Sequence, residues 1–195
     1  MTISYRALVA LAADVLTEKE IEDISQLLDV EPFNYQGLVQ IDRQIGGPGF
    51  SNVSSHGSGR YHVDDADIFR PLQYCSMYFK SACEGSDAAW LTRTLVQMSC
   101  LHIEGLVKRL VGGSQRPLGY VLRDVRVQQQ IDATLWKRLE KFTRIYNDAK
   151  HTISRSKDSH LFSVEDAILV YIIARKLAVP IYPSIKLYTD LAVFS

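Results

Sequence analysis

Apolar positions recur at intervals of three and four through most of the chain and nowhere alternate convincingly with polar ones, which predicts helices and no sheet. Leu8, Leu11, Val15 and Leu16 mark a first helix within residues 5–28. Thr17-Glu18-Lys19-Glu20 places a capping threonine three positions before an acid, opening a second short helix through Leu28 that Glu31-Pro32 ends. Asp65 to Cys83 is more weakly periodic and predicts one helix interrupted near Pro71, because proline has no N–H for the helix ladder. Asp87 to Val111 sets Leu91, Leu95, Met98, His102, Gly105 and Leu110 on one side, and Gly112-Gly113 stops it. Pro117-Leu118-Gly119-Tyr120 opens a short helical piece ending near Asp124. Gln128 to Ile153 is the longest pattern, with Leu135, Leu139, Phe142, Tyr146, Ala149 and Ile153 in a strict three-four alternation. A polar linker, Ser154 to Phe162, leads to Ser163-Val164-Glu165-Asp166, a helix start, and the last helix runs to about Val179 before Pro180 and Pro183. The low-apolarity, glycine- and serine-rich stretch 46–60 divides the chain into an N-terminal helical extension with its loop, 1–60, and a main helical domain, 61–195. The fold expected is all-α, a bundle of four to five helices with an N-terminal helical extension.

Composition narrows the function classes. The 195 residues carry 22 lysines and arginines against 22 aspartates and glutamates, with 47% hydrophobic residues. Such a chain buries a real core, and its zero net charge argues against coating nucleic acid by bulk electrostatics, though not against a local basic site. The longest apolar runs, Ala7 to Ala13 and Ala167 to Ala174, fall far short of the roughly 20 residues that span a bilayer, so no membrane partner is expected. Met1 to Arg6 carries no basic leader with an apolar core behind it, and Cys75, Cys83 and Cys100 match no zinc spacing; both point to a cytoplasmic protein with reduced thiols.

The long helix carries the polar chemistry. Counting about 100° per residue from Leu135, the apolar stripe clusters near zero, while Glu140, Arg144, Asn147 and His151 fall between about 120° and 180°. A carboxylate, a guanidinium, a carboxamide and an imidazole thus share one face, opposite the core. The plain alternative is a solvated face with an i,i+4 Glu140–Arg144 pair worth a few tenths of a kcal/mol.

Two further motifs bear on that choice. Glu104-Gly105-Leu106-Val107-Lys108-Arg109 is an E-x3-K-R pattern on the preceding helix, and Arg144 and His151 are separated by six residues, the long end of an Arg-x4–6-His pattern. Together with the Leu118-Gly119 turn, the Asn147-to-His151 core and the Ser163–Asp166 helix start, these resemble the HEPN superfamily of helical bundles over roughly residues 85–180. The commonest family version has arginine directly before the polar residue, where this chain has Tyr146. The resemblance implies a symmetric dimer whose paired helices form a cleft. In active members that cleft is a metal-independent endoribonuclease of defence, toxin–antitoxin or RNA-processing type. It implies His151 as general acid/base, Arg144 on the phosphate and Asn147 orienting substrate or His151. Glu104, Lys108, Arg109, Glu140 and Lys150 would support the cleft. No cofactor is implied, and the partners would be a second copy, RNA or a nucleotide, and a protein inhibitor or antitoxin. The chemistry is coherent, since a histidine ordinarily titrates near 6.5 and an arginine offers a fixed fork of donors to a phosphate.

Two other readings stay open: a non-catalytic module of the same kind that binds a nucleotide or protein through the stripe, and an unrelated helical protein, which gains ground if the helices of Glu104 and His151 do not pack together. His56, His62, Asp64, Asp65 and Asp67 fit no metal-ligand spacing. Gly57-Ser58-Gly59 lacks the lysine-serine ending of a phosphate loop. His102 reads as a hydrogen-bonded core or interface residue and His160 as a solvated one.

Overall fold

In the computed structural model, which describes residues 6–29, 34–53, 61–83, 91–151 and 162–194, every regular element is helical. Helix α1 spans Arg6–Val15 and α2 Glu18–Leu28. Thr17 caps α2 in the anticipated box, its hydroxyl accepting from Glu20 N–H while the Glu20 carboxylate accepts from Thr17 N–H at 2.8 Å. Helix α3, Tyr35–Ile45, was not anticipated from the pattern. It opens on Asn34, whose side chain accepts from Gln36 N–H, and packs on α2 so closely that a Cβ at Gly37 would lie 2.7 Å from Leu27.

A 3-10 turn, Val63–Asp65, leads into α4, Ala66–Cys83, and α5 covers Thr92–Arg109. Short helices α6, Leu118–Val121, and α7, Val125–Gln128, join α5 to α8, Ala133–His151. The final helix, α9, spans Val164–Ala178 with a second capping box between Ser163 and Asp166. Single 3-10 turns at Tyr182–Ser184 and Leu191–Phe194 close the described chain. Asp132 sets the start of α8 later than the periodicity suggests, its carboxylate accepting from Thr134 and Leu135 N–H at 2.8 and 2.9 Å. The anticipated helix start at Asp87, the Glu31-Pro32 stop, Ile153, the 154–161 linker, His56, Gly57-Ser58-Gly59 and His160 lie outside the described residues.

Helix α9 is apolar all round, and from Asp166 to Ala178 only Lys176 escapes full burial. A helix of that kind must be surrounded, and α1, α3, α5 and α8 pack around it, with α4 against the far side of α5. Leu8, Leu11 and Leu38 belong to the same buried cluster as Phe142 and Leu169, so described residues on both sides of position 60 share one core. No described helix is long and apolar enough to cross a membrane. Cys75 and Cys100 are free and buried, and burial pushes the Cys75 thiol up to about 12.

Two polar contacts inside the core fix its geometry. The first joins α3 to α9: Arg175 Nε donates to Asp42 Oδ1 at 2.8 Å, and the Tyr171 hydroxyl donates to the same oxygen. Asp42 Oδ2 accepts from Ser51 N–H and hydroxyl, and Arg175 also donates to Gly46 C=O at 2.7 Å. The second contact lies where α4 crosses α5. Pro71 does not interrupt α4 as its sequence position suggests; the helix runs through it. Proline leaves the carbonyl four residues back without its helix donor, and that carbonyl, Asp67 C=O, faces Gly105 at the crossing. A Cβ at Gly105 would lie 3.0 Å from this oxygen, so glycine is what lets the helices approach. Beside it, His102 Nδ1 lies 2.7 Å from Ile68 C=O and Nε2 lies 3.0 Å from the Tyr182 hydroxyl. Burial drives the His102 ring down to about 3, so it sits neutral in the folded core.

Both contacts carry measurable consequences. Asp42→Ala leaves Arg175 charged and buried without its carboxylate, and urea unfolding should show a loss of about 3–5 kcal/mol. For His102, the folded ring is depressed from 6.5 to about 3, so the unfolded chain takes up the proton first as pH falls. Stability from this site is whole above pH 6.5 and declines as pH falls through the window down to about 3, by at most roughly 1.4 kcal/mol per pH unit. Urea midpoints measured between pH 7 and 5 should therefore fall more steeply for wild type than for His102→Gln; parallel slopes would reject the assignment.

Candidate functional site

The polar stripe of α8 is exposed because the opposite stripe is not. Leu135, Leu139, Phe142, Tyr146 and Ala149 are buried, which turns Glu140, Arg144, Asn147 and His151 to the surface. The C-terminal end of α8 is held by α5. Arg93 Nε and Gln97 Nε2 both donate to Ala149 C=O, at 2.7 and 2.8 Å, satisfying a carbonyl near the end of the helix.

One turn along the same interface lies a charge cluster shared by the two helices. Glu104 of α5 accepts from Lys108 Nζ at 2.8 Å, and Lys150 Nζ of α8 is 3.6 Å from its other oxygen. The Tyr146 hydroxyl also hydrogen-bonds this carboxylate, and Lys150 Nζ sits 3.5 Å over the Tyr146 ring centroid. Burial alone would raise the Glu104 carboxyl; the hydrogen bonds from Lys108 and Tyr146 and the charge of Lys150 hold it below the ordinary carboxylate value. Tyr146 moves the other way, raised first by burial and then by the Glu104 carboxylate, so it keeps its proton.

Glu140, Arg144 and Asn147 line an adjoining surface cavity of about 220 Å³ with Gly119, Arg123 and Trp136. Trp136 is pinned by its Nε1–H donating to Leu122 C=O at 2.8 Å, which fixes α6 against α8. The Glu140–Arg144 ion pair that spacing suggests does not form among the described residues, and the Arg144 guanidinium is open to solvent. His151, exposed, lies one turn beyond Asn147, about 6 Å along the axis, and does not line that cavity.

Of the residues singled out by motif, the fold brings Glu104, Lys108 and Lys150 into one cluster and Glu140, Arg144 and Asn147 into the next. Arg109 is placed elsewhere. One position past Lys108 rotates its side chain by about 100°, toward α4, where it pairs with Asp67 at 2.7 Å and approaches Asp65 at 3.5 Å. It therefore braces the start of α4 and not the α8 stripe. Asp65 accepts in turn from Tyr188 and Thr189 N–H, at 2.9 and 2.7 Å, tying down the C-terminal segment. Sequence reasoning assigned Tyr146 to the apolar stripe alone and passed over Arg123 and Trp136. The Tyr146–Lys150 spacing of four was the visible signal for the first; the other two come from a separate element and needed the fold.

No family model matches this chain, and neither a curated protein nor a solved structure is significantly similar to it.

Glu104→Gln removes the charge that joins Lys108 and Lys150 and should cost about 1–2 kcal/mol at pH 7. Because the folded carboxyl is depressed below 4.5, its contribution is present above that pH and is lost as pH falls through the lower folded value. The gap between wild type and Glu104→Gln in urea unfolding should close on acidification below about 4.5. A gap of constant size down to low pH would contradict the ion cluster.

Proposed function

We propose that the chain is a HEPN-like, metal-independent endoribonuclease that works as a homodimer, with Arg144, Asn147 and His151 as its reacting groups. The observation that carries this reading is the packing of α5 on α8. It brings the Glu104–Lys108 pair of one motif onto Lys150 of the other, beside the cavity that Arg144 and Asn147 line. The unrelated-protein reading gains ground only if the helices of Glu104 and His151 do not pack together, and they do.

The chemistry needs few groups. The ribose 2′-oxygen attacks the adjacent phosphorus, forming a 2′,3′-cyclic phosphate as the bond to the 5′-oxygen breaks. One histidine takes the 2′-hydroxyl proton and another delivers a proton to the departing oxygen. Each chain offers one exposed histidine on this face, so a second copy completes the pair. A cavity of about 220 Å³ also falls below the roughly 300–1,000 Å³ of ordinary small-molecule sites, which suits a phosphate group held at a cleft between copies. Arg144, with no internal carboxylate to neutralise it, would meet the charge that builds on the phosphate. Tyr146, which stands where the commonest motif has arginine, is committed to Glu104 and leaves that duty to Arg144.

A second reading, a non-catalytic module binding a nucleotide or protein, is favoured by one observation: His151 lies outside the cavity lining. Incubating purified protein with mixed RNA in excess chelator separates the two. Wild type should leave 2′,3′-cyclic phosphate ends. His151→Ala should lose about 10²–10⁴-fold in rate and Arg144→Ala about 10²–10³-fold. An inert wild type across substrates and salt conditions would leave the binding module standing.

A further inference from the structure

Beside the Arg144–Asn147 cavity lies a larger one of about 520 Å³, walled by the turn after α5 and by α6 and α7. Its polar lining is arginine-rich: Arg116, Arg123 and Arg126 against the single carboxylate of Asp124. Arg123 lines both cavities. Asp124 is already engaged by Arg126, whose Nη2 and Nε donate to it at 2.7 and 3.0 Å while Nη1 donates to Val111 C=O at 3.4 Å. Arg116 and Arg123 make no ion pair among the described residues, although Arg116 lies close enough to help hold the Asp124 carboxyl down, and three guanidinium groups against one carboxylate leave the lining net positive. Gly113 lines the cavity from the turn after α5, where Gly112 and Gly113 take φ values of 77° and 95°.

Tyr120 also lines the cavity, with 64% of its surface exposed and no ring stacked on it among the described residues. An unburied aromatic between unpaired guanidinium groups is the combination that single-stranded nucleic acid uses, with phosphates on the arginines and a base on the ring. Arginine also presents a planar fork that fits a phosphate better than a lysine point charge does. An acidic protein segment would satisfy the arginines but leaves the exposed ring without a purpose. In a chain of zero net charge this basic strip is a local arrangement, offset by acids elsewhere.

We propose that the Arg116–Arg123–Arg126 cavity is a subsite for single-stranded RNA. It holds the phosphodiester backbone, stacks one unpaired base on Tyr120, and hands the strand through Arg123 to the Arg144–Asn147 cavity. The direction of that hand-over rests on the endoribonuclease reading; the RNA subsite itself does not.

The test is fluorescence anisotropy of a short labelled single-stranded oligoribonucleotide binding to the full chain across a salt series, with thermal unfolding as a folding check. The double variant Arg116→Ala with Arg123→Ala should weaken binding at least tenfold and flatten the slope of log affinity against log salt by about 1.4, or about 0.7 for each lost phosphate contact. Tyr120→Ala should weaken it roughly tenfold with the slope unchanged, and Tyr120→Phe should restore it. His151→Ala should bind as wild type does. If these effects appear and neither wild type nor His151→Ala cleaves, the subsite stands and the catalytic reading falls. If RNA is cleaved but the arginine and Tyr120 variants bind unchanged, the subsite is overturned and the catalytic reading survives. Equal competition by polyglutamate and RNA, with Tyr120→Ala neutral, would overturn it in favour of an acidic protein partner.

Discussion

Asp42 and Arg175, with 1% and 0% of their surface exposed, place a full ion pair in the middle of an otherwise apolar core. Removing two charges from water costs several kcal/mol each, offset by their mutual attraction and by hydrogen bonds from Tyr171 and Ser51 to the carboxylate and from Arg175 Nη2 to the Gly46 carbonyl, while Arg175 Nη1 finds no partner among the described residues. That arrangement is geometrically strict. Gly46 and Gly47 take φ values of 78° and 65°, and at Gly49 a Cβ would lie 2.3 Å from the Asp42 carboxylate. Satisfying one carboxylate therefore fixes the 46–53 segment and sets α3 on α9. It also seats the Phe50 ring edge-on to Tyr171 at 4.8 Å, with Phe79 next to it.

The site inherits its geometry from that centre through two helices. Helix α5 packs on α9 and has two working faces. One carries His102 and Gly105 against α4; the other carries Glu104 and Lys108 toward α8. Helix α8 is then located at its end by Arg93 and Gln97 on the Ala149 carbonyl and alongside by Glu104 on Lys150 and Tyr146. Those contacts engage Tyr146, Lys150 and the Ala149 carbonyl of α8. Arg144, Asn147 and His151 are exposed, with no side-chain partner among the described residues.

Much of this was legible in the chain. Both capping boxes, the Gly112-Gly113 stop, the buried stripe of α8 and a hydrogen-bonded core or interface place for His102 follow from spacing and residue type, because helix caps and faces are local properties. Three features misled or escaped. Pro71 suggests a break, yet the helix continues because the carbonyl it deprives is accommodated at a crossing with Gly105. Helix α3 was hidden by Gly37 and by mixed polarity, its Asp42 facing inward to a charge 133 residues away. Arg109 sits in a motif with Lys108, but one step along a helix sends it to a different neighbour.

The sequence by itself determined that the chain is helical, where most helices begin and end, and that one face of α8 carries an acid, a guanidinium, a carboxamide and an imidazole. Each of those depends on interactions within a turn or two of chain. Tertiary structure alone decided that Glu104 meets Lys150, that Arg109 turns away to Asp67, and that Arg123 lines two cavities. These contacts link residues about 20 to 46 positions apart, and their formation depends on which helix faces pack together, a choice made by the whole core and not by any local stretch of it.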